Sequence, residues 1–470
     1  MSVARRVFLG RSAAFGLGFA GLGVLNARAG RVERLASLPT EFVEPGYGPL
    51  LTDPAGLCDL PAGFRYSIIS RAGDEMADGL LVPGKPDGMA AFPGPGGRTL
   101  IVCNHEVQHR DTKKSPFGEK DERVGRVPAG KIFDRGLRGR LPACGGTTTL
   151  VYDTASQRLE RQFLSLAGTV YNCAGGPTPW GSWISCEESV VGVADQCAQE
   201  HGWAFEVPAT AEPALADPVP IRGMGRFVHE ALAIDPKTGI VYLTEDDGQG
   251  LLYRFLPADP RRFLAGGRLQ ALMVRGSPGM DTSNGEGAPN IEPGSALRCA
   301  WIDLEEIESP KGDLRFRGRS AGAARFSRGE GAWWGGDSLY FCCTDGGPKK
   351  KGQVWRYTPS EGEGRGGDGD GGTLTLFIEP NDASVIDNPD NITVSPWGDL
   401  IVCEDGPGEN GVLGITPGGR VYPLARCRLD SHEWAGACFS PDGSTLFMNL
   451  QGKGLTLAVT GPWTPAGAGA

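Results

Sequence analysis

One short design recurs six times along this chain: a Pro/Gly turn, a short apolar run, then carboxylates or amides where the run ends. The copies are GPGGRTLIVCNHE (94–106), TPWGSWISCEE (178–188), DPKTGIVYLTEDD (235–247), WWGGDSLYFCCTDG (333–346), SPWGDLIVCED (395–405) and SPDGSTLFMNLQ (440–451). Repeats that span a whole chain indicate one closed structure of similar units rather than two or three separate domains.

The composition agrees with a structure made of short strands. The chain contains 73 Gly and 36 Pro, and amphipathic helical patterns of ten or more residues are missing between the apolar runs. Both features favour an all-β protein over a parallel α/β sheet. We therefore predict a six-bladed β-propeller-like fold with loop insertions, in which each blade is a small antiparallel sheet.

Three of the repeats end in an acidic pair at one spacing. Gly181, Gly239 and Gly398 are each followed, six and seven residues later, by the pairs Glu187/Glu188, Glu245/Asp246 and Glu404/Asp405. A single pair after a strand would indicate only a turn. Three pairs in one register, at strand ends that converge on a central channel, indicate a site for multivalent cations, which prefer oxygen ligands.

Cys173 differs from most of the twelve cysteines. It lies in YNCAGGPTPWG (171–181), where we expect an irregular loop, whereas five others lie within or at the end of the apolar runs: Cys103, Cys186, Cys342, Cys343 and Cys403. Those five are expected to be small buried hydrophobes. A thiol just before an acidic strand end is a candidate soft metal ligand among hard ones. Cys144/Cys197 and Cys427/Cys438 could form disulfides, but the spacing fixes no connectivity.

The N-terminus has the pattern of an export signal. Arg5-Arg6 precedes a Gly/Ala/Leu-rich run that is too short for a membrane-spanning helix, and Ala27-Arg28-Ala29 offers a cleavage site. We predict a twin-arginine signal peptide over residues 1–29, a single β-propeller domain over residues 30–470, and a periplasmic or secreted protein. The twin-arginine translocase would be its partner during export.

The charge excludes one class of function. Removal of residues 1–29 would discard four arginines and no acidic residue, so the formal net charge of −10 would become −14. An acidic chain without a basic stripe is not expected to bind nucleic acid. We expect a monomer that acts on a small molecule.

Several stretches resemble the PhoX family of secreted alkaline phosphatases. They are NCAGGPTPWGSWISCEE (172–188), GRFVHEALAIDPKTGIVYLTEDD (225–247), Arg328-Gly-Glu330, DNITVSPWGDLIVCEDG (390–406) and EWAGACFSPDG (433–443). The resemblance covers nearly the whole chain. It implies a six-bladed propeller that holds two ferric ions and calcium ions and hydrolyses phosphate monoesters.

The resemblance also implies roles for particular residues. Cys173 matches the thiolate ligand of iron, and Arg328 matches the arginine that binds the substrate phosphate; we expect both to be catalytic. The expected metal ligands are Cys173, Glu188, Glu230, Glu330, Asp345, Asn391 and Glu404. Asn104 is expected to bind substrate.

These residue types suit phosphoryl chemistry. Clustered cations can neutralise the charge that develops on a phosphate ester, and a guanidinium presents a planar fork to two phosphate oxygens. No Ser or Thr is marked as a nucleophile by a strand-turn motif, so a phosphoseryl intermediate is not expected.

Two other classes of protein fit the same carboxylates. A calcium-dependent propeller hydrolase such as a lactonase would use these carboxylates as calcium ligands and would not need a thiolate. A non-catalytic, calcium-stabilised binding propeller would contain calcium without iron.

Overall fold

The computed structural model describes residues 45–427 and 432–463. Within these ranges the chain forms 26 short β-strands, one α-helix, α1 (Leu314–Ser320), and several single 3-10 turns. No helix in these ranges is long and apolar enough to cross a membrane. The predicted signal peptide lies outside the described residues.

Two sheets come from the first part of the chain. The first, in spatial order, is β4 (Pro86–Pro93), β5 (Arg98–His105), β6 (Gly145–Asp153) and β7 (Arg158–Thr169). The second has three strands: β8 (Asn172–Pro177), β9 (Ser182–Glu187) and β10 (Ala204–Pro208). Both sheets are antiparallel throughout.

A nine-stranded sheet contains two antiparallel meanders. The first is β11 (His229–Ile234), β12 (Val241–Glu245), β13 (Leu252–Pro257) and β14 (Gly267–Val274). The second is β16 (Gly329–Gly335), β17 (Ser338–Cys343), β18 (Gln353–Thr358) and β19 (Thr373–Ile378). One further strand, β15 (Ala296–Asp303), pairs with β14 and β19 and so links the two meanders.

The remaining two sheets combine strands from both ends of the described chain. β20 (Pro389–Val394), β21 (Leu400–Glu404), β22 (Gly411–Ile415) and β23 (Val421–Cys427) are extended by β2 (Cys58–Pro61) and β1 (Leu50–Leu51). β24 (Trp434–Phe439), β25 (Thr445–Leu450) and β26 (Leu455–Thr460) are completed by β3 (Arg65–Arg71). In each of these two sheets, strands from an early and a late part of the chain therefore pair, which brings the two ends of the described chain together.

The first strand of each meander lies in a closed ring. β4 contacts β8, β8 contacts β11, and the series continues through β16, β20 and β24 back to β4. We call these six the inner strands. The arrangement is all-β and propeller-like, which confirms that part of the prediction.

The apolar runs of the six sequence repeats are the strands that follow the inner strands: β5, β9, β12, β17, β21 and β25. Nearly every residue in them is buried. A strand covered on both faces needs apolar side chains on both, which is why these runs are continuous rather than alternating.

Candidate active site

A β-bulge recurs near the start of every inner strand. The pairing register shifts after the first residue of β4, β8, β11, β16 and β20, and after the second residue of β24. The second residues of these strands are Asp87, Cys173, Glu230, Glu330, Asp390 and Ala435. Bulges re-aim side chains, and five of these six positions carry a possible metal ligand.

The strands of the sequence repeats contribute a second set of side chains. The residue directly after each of these strands is, in chain order, Glu106, Glu188, Asp246, Thr344, Asp405 and Gln451. All except Asp246 line one cavity. Equivalent positions in successive meanders therefore meet at the centre of the ring.

The acidic pairs divide between two tasks. The first member of each pair ends a strand and is fully buried. Glu404 Oε1 accepts the backbone N–H of Asp387 (2.8 Å), and Oε2 accepts that of Gly411 (2.8 Å). Glu187 likewise accepts the N–H groups of Val170 and Gly202. The second member points the other way because side chains alternate along a strand.

The central cavity has a volume of about 130 Å³. Its lining consists of Lys85, Glu106, Cys173, Glu188, Glu230, Arg328, Glu330, Thr344, Asp390, Asp405, Glu433 and Gln451. Seven carboxyl groups and one thiol therefore face two cationic side chains. This excess of negative charge needs either protons or bound cations.

Three groups of possible ligands lie at or beside this cavity. They are Cys173/Glu188/Glu230, Glu230/Glu330/Asp390 and Asp87/Glu106/Glu433, and within each the ligand atoms lie within 4.8 Å of one another. Glu230 belongs to two of them. Both of its carboxylate oxygens are buried without a hydrogen-bond partner among the described residues. Such orphaned acceptors are costly unless an ion or a proton satisfies them.

The electrostatics of the cage agree with that geometry. Burial, followed by repulsion from neighbouring carboxylates, raises the pKa of Glu188, Glu230, Glu330, Asp390 and Glu433 well above the usual value. Burial and the charge of Glu106 raise the pKa of Asp87 to about 7. Burial also raises the pKa of the Cys173 thiol. A multivalent cation would reverse these shifts by replacing repulsion with coordination.

Arg328 is held at the cavity by its neighbours and by its backbone. Nε and Nη2 donate to the two oxygens of Asp246 (2.8 and 2.9 Å), and Nη2 also donates to Glu330 Oε1 (2.9 Å). Hydrogen bonding to Asp246 raises the pKa of the Arg328 guanidinium, so Arg328 stays charged. Its φ of 54° is left-handed, a conformation that costs an arginine about 1–3 kcal/mol. Nη1 makes no hydrogen bond within the described ranges, and the side chain is 38% exposed.

Lys85 is the second cation of the cavity, and it was not singled out from the sequence. It immediately precedes inner strand β4, as Arg328 precedes β16, and its φ of 51° is also left-handed. Its Nζ donates to Glu106 Oε2 (3.0 Å). The two cations therefore occupy equivalent positions in two meanders.

The structure brings together Cys173, Glu188, Glu230, Arg328 and Glu330 of the predicted site. One local expectation for this set is wrong. Cys173 does not lie on an irregular loop but is the second residue of β8, because the Gly-Gly-Pro that follows it continues the strand instead of turning.

Four predicted residues lie outside the cavity lining. Asn104 donates to Cys173 O (3.2 Å) and Ala174 O (2.7 Å), and its Oδ1 accepts Trp183 Nε1–H (2.9 Å). It thus anchors the start of β8 instead of facing the channel.

The other three are displaced by one residue from a cavity position. Asn391 Oδ1 accepts the N–H of Gly436 (2.9 Å), while Asp390 lines the cavity. Glu404 binds backbone, while Asp405 lines the cavity. Asp345 follows Thr344 and contributes to the raised pKa of Arg328. Because side chains alternate along a strand, the residue directly before or after a channel-facing residue points away from the channel.

Sequence reasoning missed several cavity residues. They are Lys85, Asp390, Glu433 and Gln451 in the cavity lining and Asp87 in the ligand group beside it. A signal for part of this set exists, because the second residue of each inner strand precedes its post-strand residue by 14 to 19 residues. A search for polar residues at that separation from the repeat ends would have found Asp87 and Asp390.

A further group, Asp134, Cys197 and His201, has metal-ligand spacing but a different function. His201 hydrogen bonds to Glu187 (2.7 Å) and Asp134 (3.1 Å). Burial opposes its charge, but the two carboxylates together raise its pKa to about 11. Both ring nitrogens of His201 are hydrogen bonded to carboxylates, so in this structure the group holds Glu187 in place.

Comparison with solved structures finds a known protein with a similar fold. The structure of Pseudomonas fluorescens PhoX in complex with vanadate, a transition state analogue, matches with a TM-score of 0.66 and 19% identity, covering 88% of this chain and 97% of that one. A gluconolactonase from Xanthomonas campestris matches with a TM-score of 0.39 and 12% identity, covering 90% of this chain and 99% of that one. No curated protein sequence matches the chain.

A sequence model of the family described as alkaline phosphatase PhoX matches residues 45–454. The match extends over most of the chain and includes every cavity residue described above. It confirms the predicted enzyme class, a phosphoric monoester hydrolase of the alkaline phosphatase type. The chain belongs to the alkaline phosphatase PhoX family.

Proposed function

We propose that this protein hydrolyses phosphate monoesters at an iron and calcium cluster in the central channel of a six-bladed propeller. One observation carries the proposal: a buried thiol and converging carboxylates form a cage beside a fixed arginine. Glu230, shared by two ligand groups and orphaned in both oxygens, is the centre of that cage.

Six blades are supported by the ring of inner strands. Six strands contact one another in sequence order, each has a bulge near its start, and five of them carry a possible metal ligand at the second residue. We count the nine-stranded sheet as two blades because β15 joins two complete meanders.

The donor sets fit the two metals differently. Cys173, Glu188 and Glu230, together with Glu330 and Asp390, combine a soft sulfur with hard oxygens, which suits iron. Asp87, Glu106 and Glu433 offer oxygen alone, which suits calcium. When bound, the cations would supply Lewis-acid neutralisation of charge on the phosphate oxygens. The side chains named here would hold them.

The chain's own cations would bind and orient the ester. Arg328 carries its Nη1 without a hydrogen bond among the described residues and remains charged, so it can donate to a phosphate oxygen. Lys85, on the same cavity, would add a second positive charge. Asp246 and Glu330 hold the guanidinium plane, which limits the orientations in which phosphate can bind.

The size of the cavity indicates how a substrate would enter. About 130 Å³ can accept a phosphate group but not a large alcohol. The leaving group would therefore remain towards solvent, where it contributes little to selection. We propose phosphate monoesters, with little selection for the alcohol, as the substrate class.

Export through the twin-arginine route and a monomeric state remain predictions. The Arg5-Arg6 motif supports the first.

Hydrolysis of p-nitrophenyl phosphate tests the proposed function. We expect the purified protein to hydrolyse this ester and to lose activity in a chelator. Cys173→Ser should lower kcat/KM by about 100-fold or more, because it replaces a soft ligand. Cys186→Ser is the matched control, since Cys186 is also buried but does not line the cavity.

The same assay separates the alternatives. A lactonase would cleave lactones and tolerate Cys173→Ser. A binding propeller would hydrolyse neither lactones nor p-nitrophenyl phosphate. Either result would contradict the proposed phosphatase.

A further inference from the structure

Two cysteines lie directly opposite each other in the sheet that contains β20–β23, where β2 extends it. Cys58 of β2 is the antiparallel partner of Cys427, the last residue of β23. The N–H of Cys427 donates to Asn410 O (2.9 Å), on the side away from β2. A strand residue points its N–H and C=O to the same side, so Cys58 and Cys427 form a non-hydrogen-bonded pair. Such pairs bring Cα atoms to about 4.5 Å, within the range that a disulfide spans.

No other strand pairing in residues 45–427 and 432–463 places cysteine opposite cysteine. Cys103 faces Thr148, Cys186 faces Ala204, and Cys438 faces Phe447. The Cys427/Cys438 pairing considered from sequence spacing is thus disfavoured, because Cys427 lies opposite Cys58 and Cys438 lies opposite Phe447.

The surroundings hold the two cysteines in this register. The next residue pair, Asp59 and Arg426, is an ion pair. Asp53 accepts the N–H of Cys58 (2.9 Å). Both cysteines are almost completely buried. Yet β2 joins β23 through only two residue pairs, so the attachment of the segment that contains β1 and β2 is short.

We propose that Cys58 and Cys427 form a disulfide that fastens residues 50–61 to strand β23. Formation requires a disulfide oxidant such as oxidised glutathione. The Cys58 thiolate attacks one sulfur of the oxidant and releases the first thiol. The Cys427 thiolate then attacks Cys58 Sγ in the mixed disulfide and releases the second. Two electrons and two protons pass to the oxidant in total.

The environment sets when this exchange occurs. Burial raises the pKa of the Cys58 thiol, so thiolate is scarce while β2 is docked. The bond should therefore form during folding or when β2 detaches, and should resist reductants once β2 is in place. It would close a loop of several hundred residues, and long loops gain most from a cross-link in the chain-entropy model.

Peptide mapping tests the proposal. The full-length protein is refolded from denaturant in a glutathione redox buffer, alkylated without reductant, digested and analysed by mass spectrometry. We expect a linked peptide containing Cys58 and Cys427, lighter by two hydrogen atoms than its two thiol components. Alkylation of both residues in refolded protein, or linkage of either to another cysteine, would overturn the proposal.

A second measurement does not depend on refolding. The natively purified protein is incubated with oxidised glutathione in low denaturant, and its Tm is compared before and after reduction. Reduction should lower the Tm by about 5 °C in the wild type and in Cys438→Ser, and leave Cys58→Ser unchanged. Equal melting of oxidised and reduced wild type would also overturn the proposal. Neither readout uses phosphatase activity.

Discussion

At the scale of single residues, Arg328 and Lys85 reach the cavity through the same backbone conformation. Each has a left-handed φ immediately before an inner strand and lines the central cavity. Each is also ion-paired with a post-strand carboxylate, Asp246 or Glu106. Equivalence of position argues for equivalence of use.

Replacement of Lys85 should therefore weaken substrate binding. We expect Lys85→Met to raise KM for p-nitrophenyl phosphate by about 10-fold, with a smaller fall in kcat, because a charged contact contributes about 1.5 kcal/mol. Lys85→Arg should restore much of the loss. Lys351→Met removes a lysine ion-paired with Asp387 outside the cavity and serves as the control. An unchanged KM in Lys85→Met would assign Lys85 to structure alone.

At the scale of elements, the strands that end in an acidic pair separate folding from chemistry. Their last residues, Glu187, Glu245 and Glu404, accept backbone N–H groups, whereas Glu188 and Asp405, which follow two of these strands, face the channel. Glu404 and Asp405 are the clearest case, since they are adjacent carboxylates with different surroundings.

Substitution of these two residues should have opposite effects. Glu404→Ala leaves the N–H groups of Asp387 and Gly411 without their acceptor, which should cost about 3 kcal/mol of unfolding free energy. Asp405→Asn should leave the Tm of metal-free protein equal or higher, because it removes a repelled charge, and should lower activity. Chemical denaturation and ester hydrolysis measure the two effects. A stable Glu404→Ala variant with lost activity would reverse the assignment.

The same alternation of side chains along a strand determines how much of the site could be predicted from the sequence. The repeats identified the strand ends because continuous apolar runs are visible in one sequence. They could not reveal which member of Glu404/Asp405 faces the channel, since that depends on where pairing stops. Asp87 and Asp390 were missed because a bulge after the first residue of a strand leaves no apolar signature. Arg328 and Glu330 came only from the family resemblance.

At the scale of the whole molecule, the carboxylate cage links stability to pH and to metals. The pKa is raised to about 7 for Asp87 and to about 6 for Asp405, in both cases chiefly by burial. A carboxyl group with a raised pKa binds more protons when folded than when unfolded. Its contribution is therefore complete below about pH 4 and is lost as the pH rises through the folded pKa.

Metal-stripped protein should thus lose stability as the pH rises from about 4 to about 7. Thermal melting in a chelator over this range measures the loss, and added calcium should oppose it. Asp87→Asn should flatten the slope because the group no longer titrates. A Tm that rises with pH in metal-stripped wild-type protein and is unaffected by calcium would contradict mutual repulsion among the cavity carboxylates.

Elemental analysis of the purified protein, made alongside p-nitrophenyl phosphate hydrolysis, tests the proposed iron and calcium centre most directly. Active wild-type protein should contain both iron and calcium. Glu230→Gln, which keeps the shape of the side chain shared by two ligand groups, should lose iron and activity together. Active wild-type protein without iron would contradict the proposed centre.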